Sequence, residues 1–347
     1  MRPKLLYVCG NNGSDMRVSK EVKSLSKEFD VFYVGIGEDS EMSFCKEFCR
    51  KFFLVPGKLR GPVSLALLCL KILSLRLRNK FQSVHVVDEQ LFIIVQPFLL
   101  GLHVVLDIFD SIFLKRNKPK NQWLLGKLYT YKYPGVIIVT DESRFELLPD
   151  FVKSKAKVLP NVPFFDEDIY ATKKEPSESI RLALFGSIAE SRGARLVRDL
   201  LECSPRFICY AAGWCADEYS ESLMKHDRVN YLGVLKQNEA NKFVARNADY
   251  VICIYPVNNY NNIYASPNKI YDAFQNRTPL VINRQVLVSK FVEDNGIGIV
   301  VESDDSIGNI CFKLEAGIKN MEFSFPCSKA KENSWDVYER RLLDMHS

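Results

Sequence analysis

The chain has 347 residues, 47% of them apolar and 26% charged, with a formal net charge of +5. That length favours two domains with a core each, and ten scattered cysteines without Cys-x-x-Cys or paired Cys/His spacing set aside a disulfide scaffold and a structural zinc site. A reduced, cytoplasmic chain with buried thiols fits this usage, and the lack of aromatics interleaved with the basic residues argues against nucleic acid.

Residues 4–9 form a buried strand whose apolar run is too short for a signal peptide. Gly10 to Gly13 is a flexible loop, and the 16–29 segment, with Val18, Val22 and Leu25 on one side, is an amphipathic helix. A strand over 31–35 completes the opening unit of a doubly wound parallel sheet, in which Gly13 borders a ligand cleft. From 58 to 80 the chain carries Lys58, Arg60, Lys71, Arg76, Arg78 and Lys80 with no acid, on a helix over 63–77. Two readings fit: a core-facing helix with a solvated basic rim, or a surface that rests on anionic lipid. The apolar region 91–109 is interrupted by Gln96, Pro97, His103 and Asp107, so we expect helix plus strand rather than a membrane span. Strands over 83–88 and 103–107 end in carboxylates, with Asp110 close behind. Asp88, Asp107 and Asp110 are either acceptor-side groups at the cleft that Gly13 borders or helix caps.

A further strand over 135–140 and the segment 157–163 close the first half, and 166–179 is polar and aperiodic, a linker. A second series follows: strand 181–185, loop Gly186-Ser187, helix 193–201, strands 207–211 and 229–232, helix 239–246, strand 250–254, then strands 279–282 and 296–301. The expected domains are 1–165, 180–325 and a C-terminal segment 326–347 that returns to the first, with a cleft between the two sheets. Ahead of 279–282 stands Ser266-Pro267-Asn268-Lys269, which predicts a helix starting at Pro267 with Ser266 as its cap. A cation in the first turn opposes the helix dipole and costs roughly 0.3–1 kcal/mol unless an anion sits there. Open N–H groups plus Lys269 therefore suit a phosphate, and Asp272, on the same side of the helix, suits sugar hydroxyls. An ordinary Lys–Asp surface pair is the plainer alternative.

In order along the chain, Asp15-Met16-Arg17-Val18, Val84 to Asp88, Asp107 to Asp110, Val158 to Asn161, Leu184 to Gly193, Tyr231-Leu232-Gly233 and Ser-Pro-Asn-Lys at 266–269 followed by Pro-Leu-Val-Ile at 279–282 resemble the retaining GT-B glycosyltransferases of the group-1, family-4-like class. The last motif resembles a subset found in surface polysaccharide assembly. The resemblance implies an α/β fold of two Rossmann-like doubly wound domains facing a central cleft, and a hexosyltransferase; no Asp-x-Asp pair stands at a strand end, so we expect transfer without a metal. The resemblance also implies a UDP- or GDP-sugar as donor, and as acceptor a glycan or lipid-linked saccharide of capsule, O-antigen or exopolysaccharide synthesis. It implies a cytoplasmic protein, with peripheral contact at the inner face of the plasma membrane through 58–80.

Carried over residue by residue, the resemblance gives Gly186, Ser187 and Arg192 to the diphosphate loop, Ser266, Pro267, Asn268 and Lys269 to the phosphate-binding helix start, and Asp272 to the donor ribose. It makes Asp107, Asp110 and Lys269 the catalytic candidates and assigns no metal ligands. Tyr264 stands where many relatives have an acid, Phe109 replaces the His of Asp-x-His-Asp, and Ser187 replaces a frequent Arg. A nucleotide-sugar epimerase of the same fold and an inert partner subunit are the rival readings.

Overall fold

A computed structural model describes residues 2–59, 61–320 and 323–347; Arg60 of the basic stretch lies outside the described residues. The chain forms two compact units, Met1–Asn161 with Tyr338–Ser347, and Val162–Val337. The second unit thus takes in the expected linker, in which Glu167–Ala171 is a short helix. It also keeps 326–337, because Tyr170 bonds the Phe325 carbonyl and the Trp335 amide bonds Pro163.

Seven strands build the first unit: β1 (Lys4–Val8), β2 (Asp30–Ile36), β3 (Lys51–Val55), β4 (Ser83–Val87), β5 (His103–Ile108), β6 (Val136–Val139) and β7 (Ala156–Val158). All pairs are parallel, in the order β3-β2-β1-β4-β5-β6-β7. Central strands such as Leu5-Leu6-Tyr7-Val8 are fully buried, as a sheet covered on both faces requires. The half-exposed edge strand β3 has no such uninterrupted signature, and sequence reasoning passed over it.

Helix Met16–Leu25 is capped by Asp15, whose carboxylate accepts the Arg17 and Val18 amides. Helix Pro62–Arg78 buries Leu68, Ile72 and Leu75 and leaves Val63, Leu70 and Leu77 exposed. The terminal residues dock on the first unit through Glu339 to Ser24 and Lys27, Arg340 to Glu28, and the buried His346, whose ring meets Ser83 Oγ at 2.6 Å and His85 at 3.1 Å.

Burial, then the neighbouring His85 and His103, hold the His346 imidazole well below its usual pKa, against a smaller opposing pull from Glu21. The unfolded chain accepts that proton near pH ~6.5, so the stability His346 contributes is intact above that pH and lost as pH falls below it. We expect the thermal midpoint to drop between about pH 7 and 5. His346→Asn should flatten the decline, and an unchanged slope in that variant would remove the assignment.

The second unit carries β8 (Ile180–Ile188), β9 (Phe207–Cys215), β10 (Val229–Tyr231), β11 (Tyr250–Cys253), β12 (Leu280–Asn283) and β13 (Gly298–Val301), all parallel in the order β10-β9-β8-β11-β12-β13. In each unit the strand order reverses once, between β1 and β4 and between β8 and β11. Crevices at the carboxyl ends of such strands are where open α/β sheets bind ligands.

Candidate functional site

At the second switch point β8 runs on through Gly186 and Ser187, where a loop was expected. The reason is a backbone contact. Gly186 pairs with Gly213, and a Cβ on Gly213 would lie 1.8 Å from the Gly186 carbonyl oxygen. The chain then turns through Glu190–Arg192 into helix Ala194–Cys203. Gly193, at φ +100°, lets the helix start press on β11, since a Cβ there would meet the Ile252 side chain at 2.5 Å.

That turn carries Arg192, whose guanidinium lies 5.0 Å over the Tyr255 ring. Tyr255 is itself pinned: its amide donates to Asn283 Oδ1 and its carbonyl accepts from Asn283 Nδ2, both at 3.0 Å. On the other side Lys269 Nζ donates to the Ile252 carbonyl at 3.1 Å. Burial lowers the Lys269 pKa; Cys253 and Asp272 raise it in part, and the charge of Arg192 adds to the depression. Among the described residues neither Arg192 nor Lys269 forms a salt bridge with a carboxylate. Two cations therefore share the end of one sheet and repel each other.

The helix that bears Lys269 spans Lys269–Asn276, two residues later than expected. Its entry closes through i→i+3 bonds from Ile270 to Pro267 and from Tyr271 to Asn268. Ser266 is not its cap. Asn268 holds that position without a side-chain bond, and Ser266 Oγ is buried with no hydrogen-bond partner among the described residues. The Asn268 and Lys269 amides likewise donate to nothing described. Asp272 departs from the expected open acid: it is buried, and its Oδ1 accepts from Asn241 at 3.1 Å and Gln237 at 3.4 Å. Tyr264 follows a short helix, Tyr260–Ile263, capped by Asn259, and packs on Tyr260. Ser187 is exposed at the end of β8, in register with the exposed Trp214.

In the first unit Gly13 has φ +83° and packs on Cys45, whose sulfur would stand 2.5 Å from a Cβ. Asp107 does not open on a cleft. It is fully buried and bonded to Arg17 at 2.8 Å; Arg17 also binds Glu21 at 2.8 Å and the Leu159 carbonyl, while Tyr7 and His85 reach Glu21 at 2.6 and 3.3 Å. Burial raises the Asp107 pKa well above the carboxylate range. Burial works on Glu21 too, but Arg17 and His85 outweigh it and hold Glu21 below that range, so Glu21 is the anion facing Arg17. Glu21, His85 and Asp107 lie close enough to hold a metal ion, but the Arg17 guanidinium already occupies that carboxylate pair. Asp110 is exposed and pairs with Lys115 at 2.9 Å.

The carboxylate that stands at the first switch point is Asp88. Its backbone sits at φ +67°, a conformation costing roughly 1–3 kcal/mol in a non-glycine residue. Its side chain accepts the Phe109 and Asp110 amides at 3.0 and 3.1 Å, and burial lifts its pKa to about 6.

No family model and no curated protein matches this chain. Solved structures do. HepE of Anabaena, determined in complex with UDP and glucose, superposes with a TM-score of 0.72 at 13% identity over 99% of this chain and 98% of its own. Sucrose-phosphate synthase of Thermosynechococcus elongatus gives 0.71 at 11% identity over 99% and 98%. The lipopolysaccharide outer core galactosyltransferase WaaB gives 0.64 at 10% identity over 99% and 98%. The likeness is one of fold: two parallel sheets of seven and six strands, the GT-B fold of these glycosyltransferases.

Proposed function

We propose that the protein is a glycosyltransferase that moves a sugar from a UDP- or GDP-sugar to a glycan or lipid-linked saccharide, with retention and without a metal, in surface polysaccharide synthesis. The observation that carries this reading is the meeting of Arg192 and Lys269, neither in a salt bridge among the described residues, at the β8–β11 switch beside the Asn268 and Lys269 amides. An anion would balance those charges, and the Ser266 hydroxyl, buried and without a hydrogen-bond partner among the described residues, offers it one more donor. HepE, of the same fold, holds UDP, and WaaB is a galactosyltransferase of lipopolysaccharide.

Breaking the glycosidic bond to a nucleotide leaves negative charge on the departing diphosphate. Fixed cations and amides aimed at that charge lower the barrier without reorganising. Gly186 and Ser187 give the backbone room for the diphosphate, and Asp272, held by Asn241 and Gln237, sits a turn beyond Lys269, on the ribose side. On the acceptor side Asp88 and Asp110 are the carboxylates to test, in place of Asp107. Retention rests on the Ser-Pro-Asn-Lys resemblance. We also propose that the protein works in the cytoplasm, with 58–80 in peripheral contact with the membrane; among the described residues no helix is long and apolar enough to cross it.

Calorimetric titration with UDP, GDP, ADP and CMP, with and without Mg²⁺, tests the donor site. Selective binding of one nucleoside diphosphate is expected, and no binding of any would favour an inert partner subunit. Affinity should also report Lys269. Its pKa is lowered in the free protein, so binding should hold at neutral pH and weaken as pH rises through that depressed value, earlier than for an ordinary lysine. Lys269→Arg should remove the alkaline limb; the same limb in that variant would detach it from Lys269.

A further inference from the structure

Residues 111–140 contain no Asp or Glu, and in their midst the chain turns an apolar surface outward. Lys120 to Gly126 is a continuous exposed run that leads into helix Leu124–Tyr131. Leu125 is 84% exposed, Tyr129 55% and Trp123 48%, with Leu124 beside them, while Lys127, Thr130 and Tyr131 of the same helix are buried. The protrusion is a held shape. Asn117, Lys120 and Trp123 all have positive φ, which favours glycine, and the buried Lys127 ammonium ties the segment down by donating to the Lys118 and Lys120 carbonyls. Arg116 and Lys118 flank the Trp123 ring at 5.3 and 5.8 Å, and Lys120 and Lys132 stand at either end. None of these four cations forms a salt bridge among the described residues.

We propose that residues 115–132 dock on the surface of an anionic lipid bilayer, with Trp123, Leu124, Leu125 and Tyr129 entering the headgroup region and Arg116, Lys118, Lys120 and Lys132 on the lipid phosphates. The composition argues for this occupant. Trp and Tyr with apolar neighbours suit the membrane interface, and cations around them gain from a negative leaflet. A second copy of the chain fits poorly, because a two-fold contact through this patch would set four cations against the same four. The segment is separate in sequence from helix Pro62–Arg78, and the inference does not depend on the nucleotide site.

Flotation with phosphatidylcholine vesicles, with and without phosphatidylglycerol, tests it in the full chain. The protein should float with the anionic vesicles and be released by salt, and Trp emission should shift to the blue on binding. Trp123→Ser with Leu125→Ser should lower the partition coefficient at least about tenfold, since each apolar side chain contributes more than that factor's worth of transfer energy. Lys118→Gln with Lys120→Gln should weaken binding to the anionic vesicles alone. Nucleotide titration of the same variants, expected to be unchanged, keeps this test separate from the donor site. Failure of the wild-type protein to float, or equal flotation of the Trp123/Leu125 variant, would overturn the proposal. So would a dimer in solution that this variant dissociates, and flotation lost only on Leu70→Ser with Leu77→Ser would assign the contact to the other helix.

Discussion

Lys269→Ala should weaken binding of a nucleoside diphosphate on the order of a hundredfold, the effect of losing a charge-assisted contact in a partly desolvated site. The fold should survive, because Lys269 is a half-buried residue that forms no carboxylate salt bridge among the described residues and makes one bond to the Ile252 carbonyl. A thermal midpoint that is unchanged or slightly raised is the companion expectation, and it separates this variant from a misfolded one. Equal affinity in wild type and variant would sink the donor-site assignment. Arg192→Ala should act in the same direction, with a smaller loss if Arg192 meets the diphosphate at longer range.

Arg17→Met should destabilise the first unit by about 3–5 kcal/mol, because it strands Glu21 and Asp107 in the interior without their cation. The readout is hydrogen exchange of the β1 and β5 amides, which follows this unit even where the whole chain does not unfold in one step. A loss below about 1 kcal/mol would show that water or His85 takes over the compensation. Adding Glu21→Gln and Asp107→Asn to Arg17→Met should recover part of the loss, since the Glu21 charge that needs pairing is then gone. Asp107 variants that lose activity would on this account do so through stability.

Both sheets were legible in the sequence because their central strands are unbroken apolar runs, such as 5–8 and 250–253, which a parallel sheet covered on both faces demands. Positions set by distant partners were not. Nothing near Asp107 signals that Arg17, 90 residues earlier, lies against it, so an acid at the end of a strand looked open. Gly186 and Ser187 looked like a loop because the glycine that lets β8 continue, Gly213, belongs to another strand. Ser266 looked like a cap because Ser before Pro often is one, whereas here the first turn is tighter and starts from Pro267 and Asn268. Tyr255 and Asn283 gave no local sign of their pairing, and the apolar knob at 123–129 was overlooked because Leu, Trp and Tyr at helical spacing usually point inward.

Asn283 gives its amide to Tyr255 in both directions, as a strand residue would, so the ladder of β11 and β12 gains one more rung made of side-chain atoms. The backbone that carries the aromatic ring beside Arg192 is thereby tied to the sheet. A site mounted in this way exists before its ligand arrives, and little ordering is left to pay when the diphosphate comes in. Capture should then follow simple second-order kinetics, with a rate proportional to nucleotide concentration and no slow isomerisation phase behind it.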